Sequence, residues 1–375
     1  MNWQKEGLEE ELLRLSKTST LDQLAVRFNC TKNAISKKLR RLRKLNINVV
    51  MDKDMNSPQS TLTYEQFLGE LSTRLIVEQY QPHRVKTKDS TRKHDSEAVI
   101  VRIGDVHVGK RVESSSLNDL NKYNLEIFQR RLDIYLNKIV SICGIHKTAY
   151  DFTELVIFFL GDIIDGETIY AGHQHYIEAP VIDQFLLAKN TFVDFILTLA
   201  NTGMFPRIRI CTVWGNHGRI GRKDESEEHS NFDYLFYRVL ADTLDTVSKD
   251  APCEIICEIG RSFWWRTTVE DHIFVLMHGD NIKQYQGVPY YGITKADNSY
   301  MRMLGKYDYL EIGHFHKVLH IPNNGTVCNV NGSFVGGDIF SAKTLQAMSK
   351  PCQVMTGCHH RHGITWRYDI DISED

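Results

Sequence analysis

AVIVRIGDVHVGK, residues 98–110, sets a pattern that the rest of the chain repeats. An apolar run stops at Gly104, and Asp105 and His107 follow at once. The same order returns in LVIFFLGDIIDG at 155–166, IRICTVWGNHGR at 208–219, IFVLMHGD at 273–280 and YLEIGHFHK at 309–317. The runs are Ala98–Ile103, Leu155–Leu160, Ile208–Trp214, Ile273–Met277 and Tyr309–Ile312. Short β-branched and aromatic runs bounded by glycine predict buried strands. In layered α/β folds, ligands gather at the carboxyl ends of strands. Five strands ending in donors therefore aim them at one place, with glycines letting the backbone turn sharply beside them.

The donors are Asp105, His107, Asp162, Asn216, His278, His314 and His316, with His217 as a further imidazole. Taken singly, each motif is an ordinary polar turn. In this order, each behind a strand, they point to a shared metal centre. Seven donors suffice for two divalent cations if one carboxylate is shared. Asp and Asn give hard oxygens and His suits transition metals, so the mixed set favours Mn²⁺, Fe²⁺ or Zn²⁺ over Ca²⁺. Two such cations about 4 Å apart clamp a phosphate and acidify a water between them.

These motifs, over about 98–316, resemble those of the calcineurin-like metallophosphoesterases. Within that superfamily, GDVHVGK and GHFHK are most similar to the SbcD-type DNA-repair nucleases. The resemblance implies an α/β fold, a two-sheet sandwich flanked by helices, over 98–372. It implies that Asp105, His107, Asp162 and His316 bind one metal. Asp162, Asn216, His278 and His314 would bind the other, with Asp162 bridging. His217 would sit over the scissile phosphate, as an acid or an electrostatic stabiliser, and would not be a ligand. The nuclease branch implies Mn²⁺.

The chain departs from that pattern in two places. The family commonly has an acidic residue after Asn-His, which orients the imidazole, whereas here Gly218 and Arg219 follow. Either a carboxylate from elsewhere or the backbone must then orient His217. Arg219 is a candidate phosphate ligand, since guanidinium meets phosphate in a bidentate fork; an ordinary loop arginine is the alternative. Asp165 reads as a supporting carboxylate. The second departure is that about sixty residues follow His316. SbcD-type nucleases usually carry a longer capping region and a segment that binds an ATPase, so no ATPase partner is implied.

The net charge of −2 hides an asymmetry: residues 1–50 hold 11 Lys/Arg against 5 Asp/Glu, leaving −8 on the remainder. A basic head suggests an anionic partner. Leu8–Leu15 is an amphipathic run, Thr20 is a candidate N-cap, Asn29-Cys30 a turn, and Thr31 a cap for a helix over about Lys32–Leu45. Ile35, Leu39 and Leu42 form its apolar stripe. Its other face carries Lys32, Asn33, Ser36, Lys37, Arg40, Arg41 and Lys44. The pattern resembles a helix-turn-helix, whose recognition helix places such residues on bases and phosphates of DNA. A merely solvated helix or a protein-docking module is the alternative.

Residues 51–97 read as a linker with a helix at 64–80, since 82–97 is polar, charged and without apolar periodicity. No apolar run approaches the ~20 residues of a membrane span, and the N-terminus is too polar for a secretory signal. A cytoplasmic enzyme is expected. The eight cysteines form no framework, and Cys253 and Cys257 read as buried thiols. Cys352, Cys358, His359, His360 and His362 match no zinc-finger spacing. Together these features predict a metal-dependent phosphodiesterase acting on DNA. The alternatives are an esterase for a nucleotide or other small ester, and a DNA-binding regulator with a vestigial metal fold.

Overall fold

The computed structural model describes residues 8–16, 19–39, 95–221, 225, 227, 229–285 and 288–374. The chain divides into two compact units, Met1–Ser90 and Thr91–Asp375. Arg40, Arg41 and Lys44, the expected linker over 51–94 and its helix at 64–80 lie outside the described residues.

In the first unit, helices α1 (Leu8–Leu15) and α2 (Leu21–Arg27) precede α3 over 32–39. Thr20 starts α2 with a capping box: its hydroxyl accepts from Gln23 N at 3.4 Å, and Gln23 Oε1 accepts from Thr20 N at 2.9 Å. Asn29, at φ 45, turns the chain, and the Thr31 hydroxyl accepts from Ala34 N at 3.3 Å. Leu12, Leu24, Phe28, Ile35 and Leu39 close a small apolar core.

The second unit is an α/β sandwich of two sheets flanked by helices. Strands β1 (Asp95–Ile103), β2 (Tyr150–Phe159), β3 (Arg207–Thr212) and β4 (Glu254–Ile259) run parallel, and β10 (Cys352–His359) and β11 (Gly363–Asp371) complete the order β11-β10-β1-β2-β3-β4. The other sheet, β5-β6-β7-β9-β8, uses Trp264–Val269, His272–Met277, Tyr309–Ile312, Leu319–Asn323 and Thr326–Val330 in chain order.

Alternation along β1 explains the layering. Val99, Val101 and Ile103 face a core shared with helices α4 (Leu125–His146), α5 (Val181–Asn201) and α6 (Phe232–Val247). Ala98 and Ile100 instead join Val156, Phe158, Phe274 and Leu276 between the sheets. Full burial of a side chain such as Phe158 contributes about 1.5–3 kcal/mol. Arg102 shares that inner face and forks onto Glu311 of β7 at 2.6 and 2.8 Å, with both side chains fully buried. Removing one partner of such a pair costs about 3–5 kcal/mol, because the other charge is left unpaired. Helix α7 (Tyr290–Leu304) covers the outer face of the second sheet.

Two details differ from expectation. β1 starts at Asp95, so residues 95–97 of the expected linker are strand. Glu97 tolerates burial there because Thr365 Oγ1 and Trp366 Nε1 donate to its carboxylate at 2.6 and 2.8 Å. Cys253 and Cys257 are half-buried, since β4 is an edge strand. Among the described residues, no helix is long and apolar enough to cross a membrane.

Candidate metal centre

The donors leave the carboxyl ends of β1, β2 and β3 in one sheet and of β6 and β7 in the other. Five of them hold a left-handed backbone that non-glycine residues rarely adopt: Asp105 (φ 51), His107 (φ 51), Asp162 (φ 52), His314 (φ 65) and His316 (φ 54). Such positions persist only where the surroundings over-determine them. Here each donor loop is bonded to another. Asp105 N donates to Gly161 O at 3.0 Å, and His107 N to Asp162 O at 2.9 Å. His314 N donates to the Asp105 carboxylate at 2.9 and 3.0 Å, and His217 N to Asp162 Oδ1 at 2.7 Å.

The structure brings all seven predicted donors together. Asp105, His107 and His316 form one group and Asp162, His278 and His314 another, each with its ligand atoms within 4.8 Å of one another. Asp162 Oδ2 lies between them, 3.1 Å from His278 Nε2 and 3.9 Å from His107 Nε2. Asn216 Oδ1 is 3.1 Å from His278 Nε2. Asp105, His107, Asp162 and His278 are all buried.

The chemistry of this set fits cations. His278 Nδ1 faces the Leu160 carbonyl at 2.8 Å, so that nitrogen carries a proton. A neutral His278 would then turn an Nε2 lone pair on two oxygens, Asp162 Oδ2 and Asn216 Oδ1. Without a cation the imidazole takes up a proton and donates it to Asp162: burial opposes the imidazolium, but Asp162 overrides it and lifts the His278 pKa to about 10. His107 repeats the arrangement. Its Nδ1 is 2.9 Å from Asp165 Oδ1, leaving Nε2 facing His316 Nε2 at 3.1 Å. Imidazoles whose far nitrogen donates to a carbonyl or carboxylate are the usual form of metal-ligating histidine. A divalent cation in either group removes the lone-pair conflict.

Asp165 answers the question raised by Gly218. Its Oδ1 is 3.1 Å from His217 Nδ1 and its backbone carbonyl 3.0 Å from the same nitrogen, so the second motif orients His217. Oδ1 also takes His107, and Oδ2 takes His173 Nε2 at 2.8 Å. Burial raises the Asp165 pKa, but Lys110 and the three imidazoles outweigh it and hold the carboxyl far below its usual range. His217 is pushed the other way. Burial opposes its cation, yet Asp162 and Asp165 prevail and the pKa is raised. An acidic residue at 218 has no room: a Cβ there would lie 2.3 Å from Asn231 Oδ1 and 2.8 Å from Asp233 N.

Two supporting residues gave no clear sign in the sequence. The buried Asp233 carboxylate accepts from Asp162 N, Ile163 N, Ile164 N and Gly215 N at 2.8–3.2 Å, fixing two donor loops at once. Burial and then Asp162 push its pKa up to about 6. Its position in the first turn of α6 is visible in the sequence, but its partners are not. Lys110, the last residue of the first motif, is buried with Nζ 2.9 Å from Asp338.

The other candidates separate. Arg219 Nη2 donates to Ile169 O at 3.2 Å, and its buried Nε has no partner among the described residues. Lys32, Asn33, Ser36 and Lys37 are exposed on α3, which belongs to the first unit. Cys358 is buried between the sheets, and His359 pairs with Asp95 at 3.2 Å.

Among solved structures, this chain is similar to a point mutant of Vps29 from Entamoeba histolytica (15% identity, 72% of this chain, 99% of that one, TM-score 0.32). It is also similar to a novel archaeal phosphodiesterase (11% identity, 72% and 98%, TM-score 0.32). A third is a hypothetical protein of Pyrococcus horikoshii OT3 (12% identity, 75% and 89%, TM-score 0.36). No curated protein matches it. The family model described as calcineurin-like phosphoesterase matches residues 98–318, a span running from the start of the β1 apolar run to just past the last donor. That span is more than half of the chain, and with the donor clusters it places the protein in the calcineurin-like phosphoesterase family, as a metal-dependent phosphoesterase.

Proposed function

We propose that this phosphoesterase is a phosphodiesterase that cleaves DNA and is held on its substrate by residues 1–50. The observation that carries the proposal is the two-faced character of α3. Ile35 and Leu39 are buried in the core of the first unit, while Lys32, Asn33, Ser36 and Lys37 are exposed. With α2 and the turn at Asn29, this supports the helix-turn-helix reading, in which the second helix presents polar and basic residues to the groove. Arg40, Arg41 and Lys44 extend the basic series in sequence. Lys32 meets Asp22 at 2.6 Å, but both are well exposed, so a phosphate can displace the carboxylate at little cost.

At the centre, Asp105, His107, Asp162 and His316 would hold one divalent cation, and Asp162, Asn216, His278 and His314 the other. Mn²⁺ is the ion implied by resemblance, with Fe²⁺ or Zn²⁺ also suited to the donors. Bound there, the cations supply charge for the phosphate and acidify water. His217 offers Nε2 to the leaving oxygen, because Nδ1 is fixed on Asp165. Arg219 takes a phosphate oxygen. The head raises the local concentration of DNA at the donors.

The test offers the full chain with Mn²⁺ three substrates: duplex DNA, single-stranded DNA and nucleotide phosphodiesters. Metal-dependent cutting of DNA that is lost in Asp162→Asn is expected. Turnover of small esters with every form of DNA left intact would instead support the small-ester reading.

A further inference from the structure

Across His173 from His217 lies an aromatic ring that the chemistry above does not use. Tyr170 is 44% exposed. Its ring lies over His173, with centroids 4.4 Å apart and planes 31° apart. His173 is a fixed support. It is buried, its Nε2 is bonded to Asp165 at 2.8 Å, and its Nδ1 accepts from Ile169 N at 3.4 Å. The His173 ring is in turn 5.7 Å from that of His217. Tyr170 therefore lies no more than about 10 Å from His217, centre to centre. That is comparable with the span of one nucleotide. Arg219 is tied to the same segment through the Ile169 carbonyl, and its buried Nε still lacks an acceptor among the described residues. A buried donor without an acceptor is costly, and an oxyanion would satisfy it.

We propose that Tyr170 is the stacking platform for the base next to the scissile phosphate, with Arg219 gripping the phosphate oxygens beside it. The proposal rests on the nucleic-acid function above and narrows the substrate to DNA whose base at the cut is unpaired. A base inside a duplex has no free face to offer a side chain. Stacking is tolerant of sequence, since every base has a π-face. The site would therefore read an unpaired end rather than a base sequence.

The experiment compares p-nitrophenyl thymidine 5′-phosphate with methyl p-nitrophenyl phosphate, which share a leaving group and differ in the nucleoside. The readout is the ratio of their kcat/KM values. Tyr170→Ala should lower that ratio on the order of 10-fold, the scale of one base–aromatic stack. Tyr170→Leu, which keeps bulk over His173, should lower it equally, and Tyr170→Phe should restore it. An unchanged ratio in both Ala and Leu variants would overturn the proposal, as would a Phe variant as poor as Ala. Cleavage of single-stranded oligonucleotide by the unaltered enzyme is scored separately. If no oligonucleotide is cut while the ratio still depends on Tyr170, the DNA function fails and the platform stands.

Discussion

Replacing Asp165 by Asn tests whether one carboxylate sets up both metal binding and proton transfer. Asp165 takes three imidazoles: His107 and His217 on Oδ1 at 2.9 and 3.1 Å, and His173 on Oδ2 at 2.8 Å. Asn keeps the shape but offers one oxygen. If that oxygen stays with His107 and His217, the amide NH₂ faces the Nε2–H of His173. His173 cannot respond by moving its proton, because its Nδ1 already accepts from Ile169 N. Turning the amide over moves the conflict to the other two rings. An unmet buried donor costs about 1–3 kcal/mol, so an imidazole is expected to turn away. Loss of the group that orients a ligating histidine lowers metal affinity ~10–100-fold, and loss of a placed acid lowers the rate by ~10²–10⁴-fold. Metal titrations should therefore shift by about one to two decades. At saturating metal the kcat for a phenyl phosphodiester should stay depressed ~10²-fold or more, and by less for a p-nitrophenyl ester, whose better leaving group needs less protonation. If excess metal restores kcat in full for both esters, Asp165 acts through His107 alone and the account of His217 is wrong.

Asp162→Asn should remove most activity and weaken both cations, since Oδ2 lies between the two donor groups; unchanged metal content with full activity would defeat the bridging role. His217→Ala should keep both metals, measured by elemental analysis, while losing ~10²–10⁴-fold in rate on poor leaving groups. Metal loss would make His217 a ligand. Deleting residues 1–60 should weaken duplex binding and flatten its salt dependence, because each lost phosphate contact removes about one released counterion. Turnover of a small phosphodiester should survive that deletion, and an unaltered salt slope would make the head a protein-docking module. Gly218→Asp, which restores the family's usual acid, should lower the Tm and the activity, with overpacking at Asn231 costing about 1–3 kcal/mol; a gain in kcat would show that the loop can yield.

The five donor strands were legible because each is an apolar run ended by a glycine or histidine, and Tyr309–Ile312 has the same bounds in sequence and structure. β10 was not. It lies inside the sheet, between β1 and β11, yet buries Gln353 and Thr356. Gln353 manages this by bonding Gly104 through both amide atoms and Asn331 as well, partners far away in sequence. Hydropathy cannot see such compensation. α5 also escaped, because Pro180 at its N-cap makes no side-chain cap and the usual start signal is missing. The donors could be read from local motifs, whereas Asp165 and Asp233 act through rings and amides brought near only by the fold.

Two of the glycines beside the donors, Gly161 (φ 85) and Gly279 (φ 105), make the turns their sequence suggests. At Gly215 and Gly313 the need is instead for space. A Cβ at Gly215 would lie 2.0 Å from Asp162 Oδ1, and one at Gly313 would lie 2.8 Å from Leu160 O. Left-handed backbone falls also on five of the donors themselves. Each such position costs on the order of 1–3 kcal/mol, a large sum beside the 5–15 kcal/mol by which a domain is typically stable. No single loop could hold that conformation unaided. It is held because the loops restrain one another: Asp105 receives His314 N, Asp162 receives His217 N, and Asp233 receives the amides of two loops. A donor here is thus also a structural acceptor for the next donor's backbone. Substituting one should therefore disturb a neighbouring ligand before it disturbs the sheets.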